Sequence, residues 1–297
     1  MNNTSAELIA SEIEEHESSC LDERPSILFL CLARNCASTL PIFLAYLDRL
    51  RNVGICCPAI IGENGSTDST RELIQTAKRD VTLLDTSFMD QEPATLARFA
   101  AGRQALWDAA LARGGRETFI CVADLDQAIA MPPSPEAVIE AIRVLRTDDS
   151  LYAVGASSRP VYYDLVSLRA EGFEFLEELN YSLDRAKKRP LSYYRFHQKH
   201  IYSAQKRVTQ ALPMVSTSSF NGFCIYNALD YRKGCYRAPD EAHICEHVNF
   251  NQSVARETGK KLLVSLSLQI QAPAEHTSVG FIKFWYDRVR RRVTGRR

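Results

Sequence analysis

Two aspartates one residue apart, Asp124 and Asp126, close the apolar run Phe119-Ile120-Cys121-Val122-Ala123. The run reads as a strand buried on both faces, so its end is a costly place for charge. A bare carboxylate taken out of water costs several kcal/mol, and two together cost more unless a cation neutralises them. Mg2+ and Mn2+ take hard oxygen ligands and can bridge a carboxylate to a diphosphate. Side chains alternate along a strand end, so residues at i and i+2 lean the same way. One aspartate can then bind the metal while the other orients a ribose hydroxyl or a metal-bound water. Alone, a D-x-D recurs by chance in chains of this length, and its position after a buried strand is what gives it weight.

Two further polar clusters follow apolar runs. Arg34-Asn35 follows "SILFLCLA" (26–33), and Glu63-Asn64-Gly65-Ser66-Thr67-Asp68 follows "ICCPAIIG" (55–62). Taken singly, N-G and D-S-T are good turn and capping residues. If the strands are parallel, all three clusters fall on one sheet edge, where open α/β sheets bind ligands. Arg34 and the helix N-termini after strands one and two can support phosphate oxygens there.

The elements that would position these clusters are legible over 26–130. The pattern predicts strands over 26–33, 55–62, 81–86 and 118–124, alternating with helices over 38–52, 66–80 and 94–113. Ser38 or Thr39 can cap the first helix with Pro41 in its first turn, Ser66 or Asp68 the second, and the third ends near Gly114-Gly115. Four strands alternating with helices mean a parallel, doubly wound sheet.

The formal net charge of the 297 residues is zero, which implies no bulk attraction to nucleic acid, and no nucleic-acid motif is visible. The balance hides an acidic lead over 1–24 and a basic tail over 281–297. The tail sets Lys283 and six arginines beside Phe281, Ile282, Phe284, Trp285, Tyr286 and Val289. A basic amphipathic helix of this kind can lie on an anionic membrane surface, or its aromatics can dock on the rest of the chain. Nine cysteines include no C-x-x-C pair, so reduced thiols are expected rather than a zinc or redox site. With no secretory h-region and no apolar run of 18 residues, a cytoplasmic location is expected, with peripheral contact to the inner membrane face through the tail.

In combination, "LARN", "ENGSTDSTRELI", "RFAAGRQALWDAAL" and "FICVADLDQ" resemble the nucleotide-sugar half of GT-A fold glycosyltransferases. Within that class the chain is most similar to the fungal capsule-associated α-1,3-mannosyltransferase family and its bacterial relatives. "SSFNGFCIY" and "ICEHVNFN" fit as well, so the resemblance spans about 26–280. It implies a Rossmann-like, mostly parallel sheet flanked by helices, with a nucleotide-sugar half over 25–130 and a smaller acceptor half over 131–280. Asp124 and Asp126 would bind Mn2+ or Mg2+, with Asp126 also catalytic and His276 completing the metal shell. Glu63, Asn64 and Asp68 would lie at the nucleobase and ribose, Arg34 and Asn35 near the nucleotide, and Arg98 and Arg103 at the diphosphate or sugar. Asn221-Gly222 would hold the donor sugar, since a glycine admits close backbone approach. Glu246 and His247 would stand at the family's x-E-D position. Glu246 can equally pair inside a helix, and His276 can be a loop surface residue.

One departure matters. Inverting members carry an aspartate as base where this chain has His247. A retaining enzyme needs no such base, and the similarity to retaining mannosyltransferases favours retention. The implied activity is transfer of a hexose, mannose being the sugar the resemblance suggests, from a GDP- or UDP-sugar to a glycan or lipid-linked acceptor in bacterial surface polysaccharide synthesis. The aromatic segment 160–207 would be acceptor-binding, or else a helix packed by its aromatics; His197 and His200 are too isolated for a metal site. A nucleotidyltransferase or dinucleotide oxidoreductase needs a glycine-rich loop that "LARNCAST" lacks. A degenerate sugar-nucleotide-binding protein of the same fold remains the rival, although it would be expected to lose the D-x-D or Glu246.

Overall fold

A computed structural model describes residues 24–77, 80–114, 117–173, 190–236, 245–277 and 280–294. Strands β1 (Ile27–Ala33), β2 (Ala59–Glu63), β3 (Val81–Asp85) and β4 (Phe119–Asp124) run parallel, as the sequence predicts. Four more complete the sheet: β5 (Leu151–Arg159), β6 (Met214–Ser216), β7 (Phe223–Asn227) and β8 (Lys261–Gln271). The order is β3-β2-β1-β4-β7-β5-β8-β6. β7 lies antiparallel between β4 and β5, β5 is parallel to β8, and β6 is an antiparallel edge. The result is the expected α/β class, a mostly parallel sheet flanked by helices. The two expected halves share this one sheet, because β7 pairs directly with β4.

Helices on both faces explain the unbroken apolar strands. Ile27, Phe29 and Cys31 of β1 join one core with Phe43 and Leu47 of α1 (Leu40–Asn52) and Val138 of α4 (Pro135–Thr147). Leu28 and Leu30 join the other with Leu106 and Trp107 of α3 (Thr95–Ala112). The second core also takes α6 (Tyr202–Ala211) through Val208, α7 (Ala228–Tyr231) through Tyr231 and α8 (Glu246–Thr258) through Phe250 and Val254.

Several expected boundaries move. The second strand begins at Ala59 rather than Ile55, since Pro58 interrupts it and Cys56 makes only an isolated bridge to Ser26. Helix α2 spans Thr70–Gln75, far shorter than 66–80, because Ser66, Thr67 and Asp68 are used up in loop contacts. Thr39 does stand at the N-cap of α1, but its hydroxyl donates to the carbonyls of Cys36 and Leu125 instead of capping. Between β5 and α5 (Pro190–Phe196), residues 160–173 run as bends and turns, with Arg169 in an isolated bridge to Ser218. The described aromatics beyond them pack internally: Tyr193 and Tyr194 lie against Phe284 of α9 (Phe281–Thr294). The basic cluster Lys187-Lys188-Arg189, the lead over 1–23 and the final residues 295–297 lie outside the described residues. All described cysteines are free, and burial pushes the Cys57 thiol up to about 11 and that of Cys36 to about 12. Among the described residues no helix is long and apolar enough to cross a membrane.

Candidate active site

The carboxyl edge of β1, β2 and β4 brings the three polar clusters together. Asn35 adopts a left-handed backbone, φ 55°, which its short amide side chain tolerates. Its Oδ1 accepts from the Thr67 amide at 2.8 Å, and its own amide donates to Ser66 Oγ at 3.0 Å. Asp68 completes the clasp by accepting from the Ala37 amide at 3.1 Å and the Thr70 amide at 3.0 Å. These two residues therefore zip the β1 and β2 loops together. Glu63 is fully buried and equally engaged, taking Ser66 N at 2.5 Å and Arg71 Nε at 2.7 Å. Burial raises its pKa, but the Ser66 and Arg71 contacts outweigh burial and hold it below the usual carboxylate range.

Beside this clasp lies a second group. Asp90, in the single turn Ser87–Gln91 after β3, accepts from Arg34 Nη1 at 2.7 Å and Asn64 Nδ2 at 3.4 Å, and Arg98 Nη1 stands 3.9 Å away. Asn64 is almost fully buried, and its Oδ1 has no hydrogen-bond partner. Asp90 was not singled out in the sequence. It follows the third strand on the same edge, so the strand-end rule used for the other clusters would have found it.

The D-x-D sits at the end of β4, between β1 and β7 in the middle of the eight-stranded sheet. Arg103, on α3, reaches it from below: Nη2 donates to Asp124 Oδ1 at 3.0 Å and Nε to Glu246 Oε1 at 3.2 Å. The guanidinium is 5.1 Å from the Phe220 ring centroid, and its Nη1 is buried without a partner. Asp126 caps the turn Gln127–Ala130 by accepting from the Ala128 amide with Oδ1 at 2.8 Å. Burial pushes Asp124 up to about 7 although a third of its side chain meets solvent; Arg103 pulls it down and Asp126 pushes it further up. The two carboxylates thus lie close enough to repel one another. Oδ1 of each is taken by the protein, which leaves Oδ2 of each without a protein hydrogen bond. Hard oxygen donors from two carboxylates, with remaining positions for water and phosphate, suit Mg2+ or Mn2+.

The third expected metal ligand is not brought in. Among the described residues no three His, Cys, Asp or Glu side chains gather as a cation site. His276 is exposed in the turn Ala274–His276, with its ring 5.2 Å from that of Tyr163. Burial raises the pKa of Tyr163, and the charges of Asp124, Asp164 and then Asp126 raise it further.

Asn221 and Gly222 act locally as well. Asn221 is completely buried, accepts from the amides of Tyr163 and Asp164 at 3.3 and 3.2 Å, and donates to Ala156 O at 3.1 Å. Gly222 has φ 79°, and its carbonyl accepts from the Asp124 amide at 3.0 Å. A Cβ there would lie 2.6 Å from the Tyr163 hydroxyl. The close backbone approach expected of this glycine is therefore to Asp124 and Tyr163, and it sets the height of the D-x-D.

Glu246 and His247 open α8 and are both buried. His247 stacks on Phe220 at 3.6 Å between centroids, and neither ring nitrogen makes a hydrogen bond, Nε2 being 3.5 Å from Glu246 Oε1. Burial first, and the Arg103 charge second, hold His247 well below its ordinary pKa, so it is neutral. Its position at 2% exposure keeps it from meeting an acceptor hydroxyl in this conformation.

No protein-family model matches the chain, and no curated protein does either. Solved structures of similar shape include glucosyl-3-phosphoglycerate synthase from Mycobacterium tuberculosis in complex with Mn2+, UDP and glucosyl-3-phosphoglycerate. It is 13% identical, covering 90% of this chain and 77% of that one, with a TM-score of 0.47. The same enzyme with Mn2+ and UDP-glucose is 12% identical over 85% and 70% of the two chains, with a TM-score of 0.44. With Mg2+ and UDP it is 13% identical over 92% and 78%, with a TM-score of 0.43. At that identity and TM-score the likeness transfers no residue role to this chain.

Proposed function

We propose that this chain is a metal-dependent glycosyltransferase that moves a hexose from a nucleoside diphosphate sugar to a hydroxyl of a glycan or lipid-linked acceptor. One observation carries the reading. Asp124 and Asp126 end β4 on the same edge as the zipped β1 and β2 loops, each with one carboxylate oxygen uncommitted. A divalent cation held by Asp124 and Asp126 would supply Lewis-acid neutralisation of the leaving diphosphate. The chain's own residues do the rest. Arg103 fixes the Asp124 carboxylate and brings a cation with one unpartnered N–H to its side. Arg34 and Arg98 add positive charge on the nucleotide side.

The base is read next to Asp90. The half-exposed Asp90 carboxylate presents acceptor oxygens, which suits a base edge with two neighbouring N–H donors, as guanine has. This supports a GDP-sugar donor. The burial of His247 against Phe220 supports retention over inversion, since a ring sealed from the cleft offers no base to the acceptor. In retention the departing diphosphate oxygen takes the acceptor proton on the same face. Mannose as the sugar, and a role in bacterial surface polysaccharide synthesis, rest on the resemblance alone. Contact with an anionic membrane surface rests on α9 and is independent of this chemistry.

The test is calorimetric titration of GDP, GDP-mannose, UDP and UDP-glucose, with Mn2+ and with EDTA, on the wild type and Asp126→Ala. Asp126 is exposed and makes one capping bond, so the variant should lose only about 1 kcal/mol of stability. Metal-dependent binding of one nucleotide class, lost in the variant, is the expected result. No binding of any nucleotide under any condition sinks the transferase reading and the sugar-nucleotide-binding alternative with it.

A further inference from the structure

Helix α9 has two apolar faces, and the protein covers only one of them. Phe284 is fully buried, with its ring 5.7, 5.2 and 5.2 Å from those of Tyr193, Tyr194 and His197. Arg288 lies across the Phe284 ring at 3.4 Å and that of Tyr193 at 5.4 Å, sealing this inner face. Ile282, Tyr286 and Val289 recur at i, i+4 and i+7 and so form one stripe away from Phe284. They are 85%, 63% and 57% exposed. Phe281, Ile282 and Tyr286 also line a shallow apolar recess with Gly280 and Lys283.

A docked helix has no packing reason to keep a second apolar stripe, and contiguous exposed apolar surface marks an interaction site. Charge decides what the stripe meets. The helix carries Lys283, Arg288, Arg290, Arg291 and Arg292 against Asp287 alone. Lys283 and Arg290 are exposed and follow Ile282 and Val289 directly in sequence, so cations border the stripe. A second copy of the chain would set like charges against like across such a face. An anionic lipid surface matches both features, with apolar side chains and a tyrosine at the headgroup boundary and cations on the phosphates.

We propose that the outward stripe Ile282-Tyr286-Val289 of α9, with its bordering cations, seats the protein on an anionic lipid bilayer. Phe284 and Arg288 hold the helix to the body of the protein, so the contact is a fixed surface of the fold rather than a loose tail. The inference does not depend on the transferase reading.

Co-sedimentation of the full chain with vesicles tests it, using phosphatidylcholine alone and phosphatidylcholine mixed with phosphatidylserine. Binding is expected to the mixed vesicles, to weaken with added salt, and to be slight on phosphatidylcholine alone. The triple variant Ile282→Ser, Tyr286→Ser, Val289→Ser should keep its melting temperature, because all three side chains are exposed, and lose binding by at least about tenfold. The pair Lys283→Glu and Arg290→Glu should lose binding and its salt dependence together. Absence of binding to mixed vesicles overturns the proposal, as does binding that the triple variant leaves intact. Dimers in light scattering that the triple variant abolishes would make a second copy the occupant and overturn it as well.

Discussion

Arg103→Ala is the most informative single change, because one guanidinium holds two otherwise unneutralised carboxylates. The side chain is 6% exposed and bridges Asp124 at 3.0 Å to Glu246, itself 5% exposed, at 3.2 Å. Removing one partner of a buried pair costs about 3–5 kcal/mol, because the remaining charge stays desolvated. Loss of the Phe220 contact adds about 0.5–1 kcal/mol. Asp124 keeps a third of its side chain in water and can relax outward, which offsets part of the penalty. The expected loss is therefore about 3–5 kcal/mol in urea unfolding, read from the midpoint at unchanged slope. Arg103→Lys keeps the charge but cannot span both carboxylates, and should cost about 1–3 kcal/mol. Adding Glu246→Gln to Arg103→Ala should recover about 1–3 kcal/mol relative to additivity, since it removes the carboxylate left bare. A loss under about 1 kcal/mol for Arg103→Ala, or strict additivity in the double variant, would refute the idea that Arg103 binds the D-x-D to α8.

Glu63 gives a pH dependence: its folded pKa lies below the unfolded value, so its contribution is present above the ordinary carboxylate value and is lost as pH falls from there through the lower folded pKa. Thermal melts of Glu63→Gln from neutral to acid pH should show a shallower acid loss than the wild type, and parallel curves would contradict the Ser66 and Arg71 contacts. Gly222→Ala places a Cβ at φ 79° and 2.6 Å from Tyr163 Oη, and should lose about 1–3 kcal/mol in denaturant and weaken metal-dependent nucleotide binding. Unchanged values for both would remove Gly222 from the support of Asp124. Asp90→Ala should leave the unfolding midpoint nearly unchanged yet lower affinity for GDP more than for UDP by calorimetry, and equal effects on both would remove Asp90 from base reading.

Legibility differed between the two halves of the chain. Over 26–130 the alternation of apolar runs with capped helices gave both the parallel order and the edge on which Arg34, Glu63 and Asp124 meet. Beyond 130 the sequence offered motifs without a frame, and β5 to β8 were not read. β7 inserts antiparallel between β4 and β5, a pairing across about a hundred residues that no local pattern encodes. The site shows the same limit. Asp124 and Asp126 could be found because carboxylates ending a buried strand break a rule of burial. Asp90 follows the third strand and lay within reach of the same strand-end rule, whereas Tyr163 breaks no such rule and reads as an ordinary turn residue.

Residue types and their period therefore determined which strands are buried on both faces, where they end, and that two carboxylates stand at one of those ends. Only the tertiary structure decided what each polar group does there. Asn35, Asp68, Glu63 and Asn221 are spent on backbone amides and on neighbouring side chains, and His247 is sealed against Phe220. Asp124 and Asp126 keep an oxygen each. The physical reason is that chemistry follows from side-chain identity, whereas a hydrogen bond requires a partner within about 3 Å, and that partner is chosen by the fold.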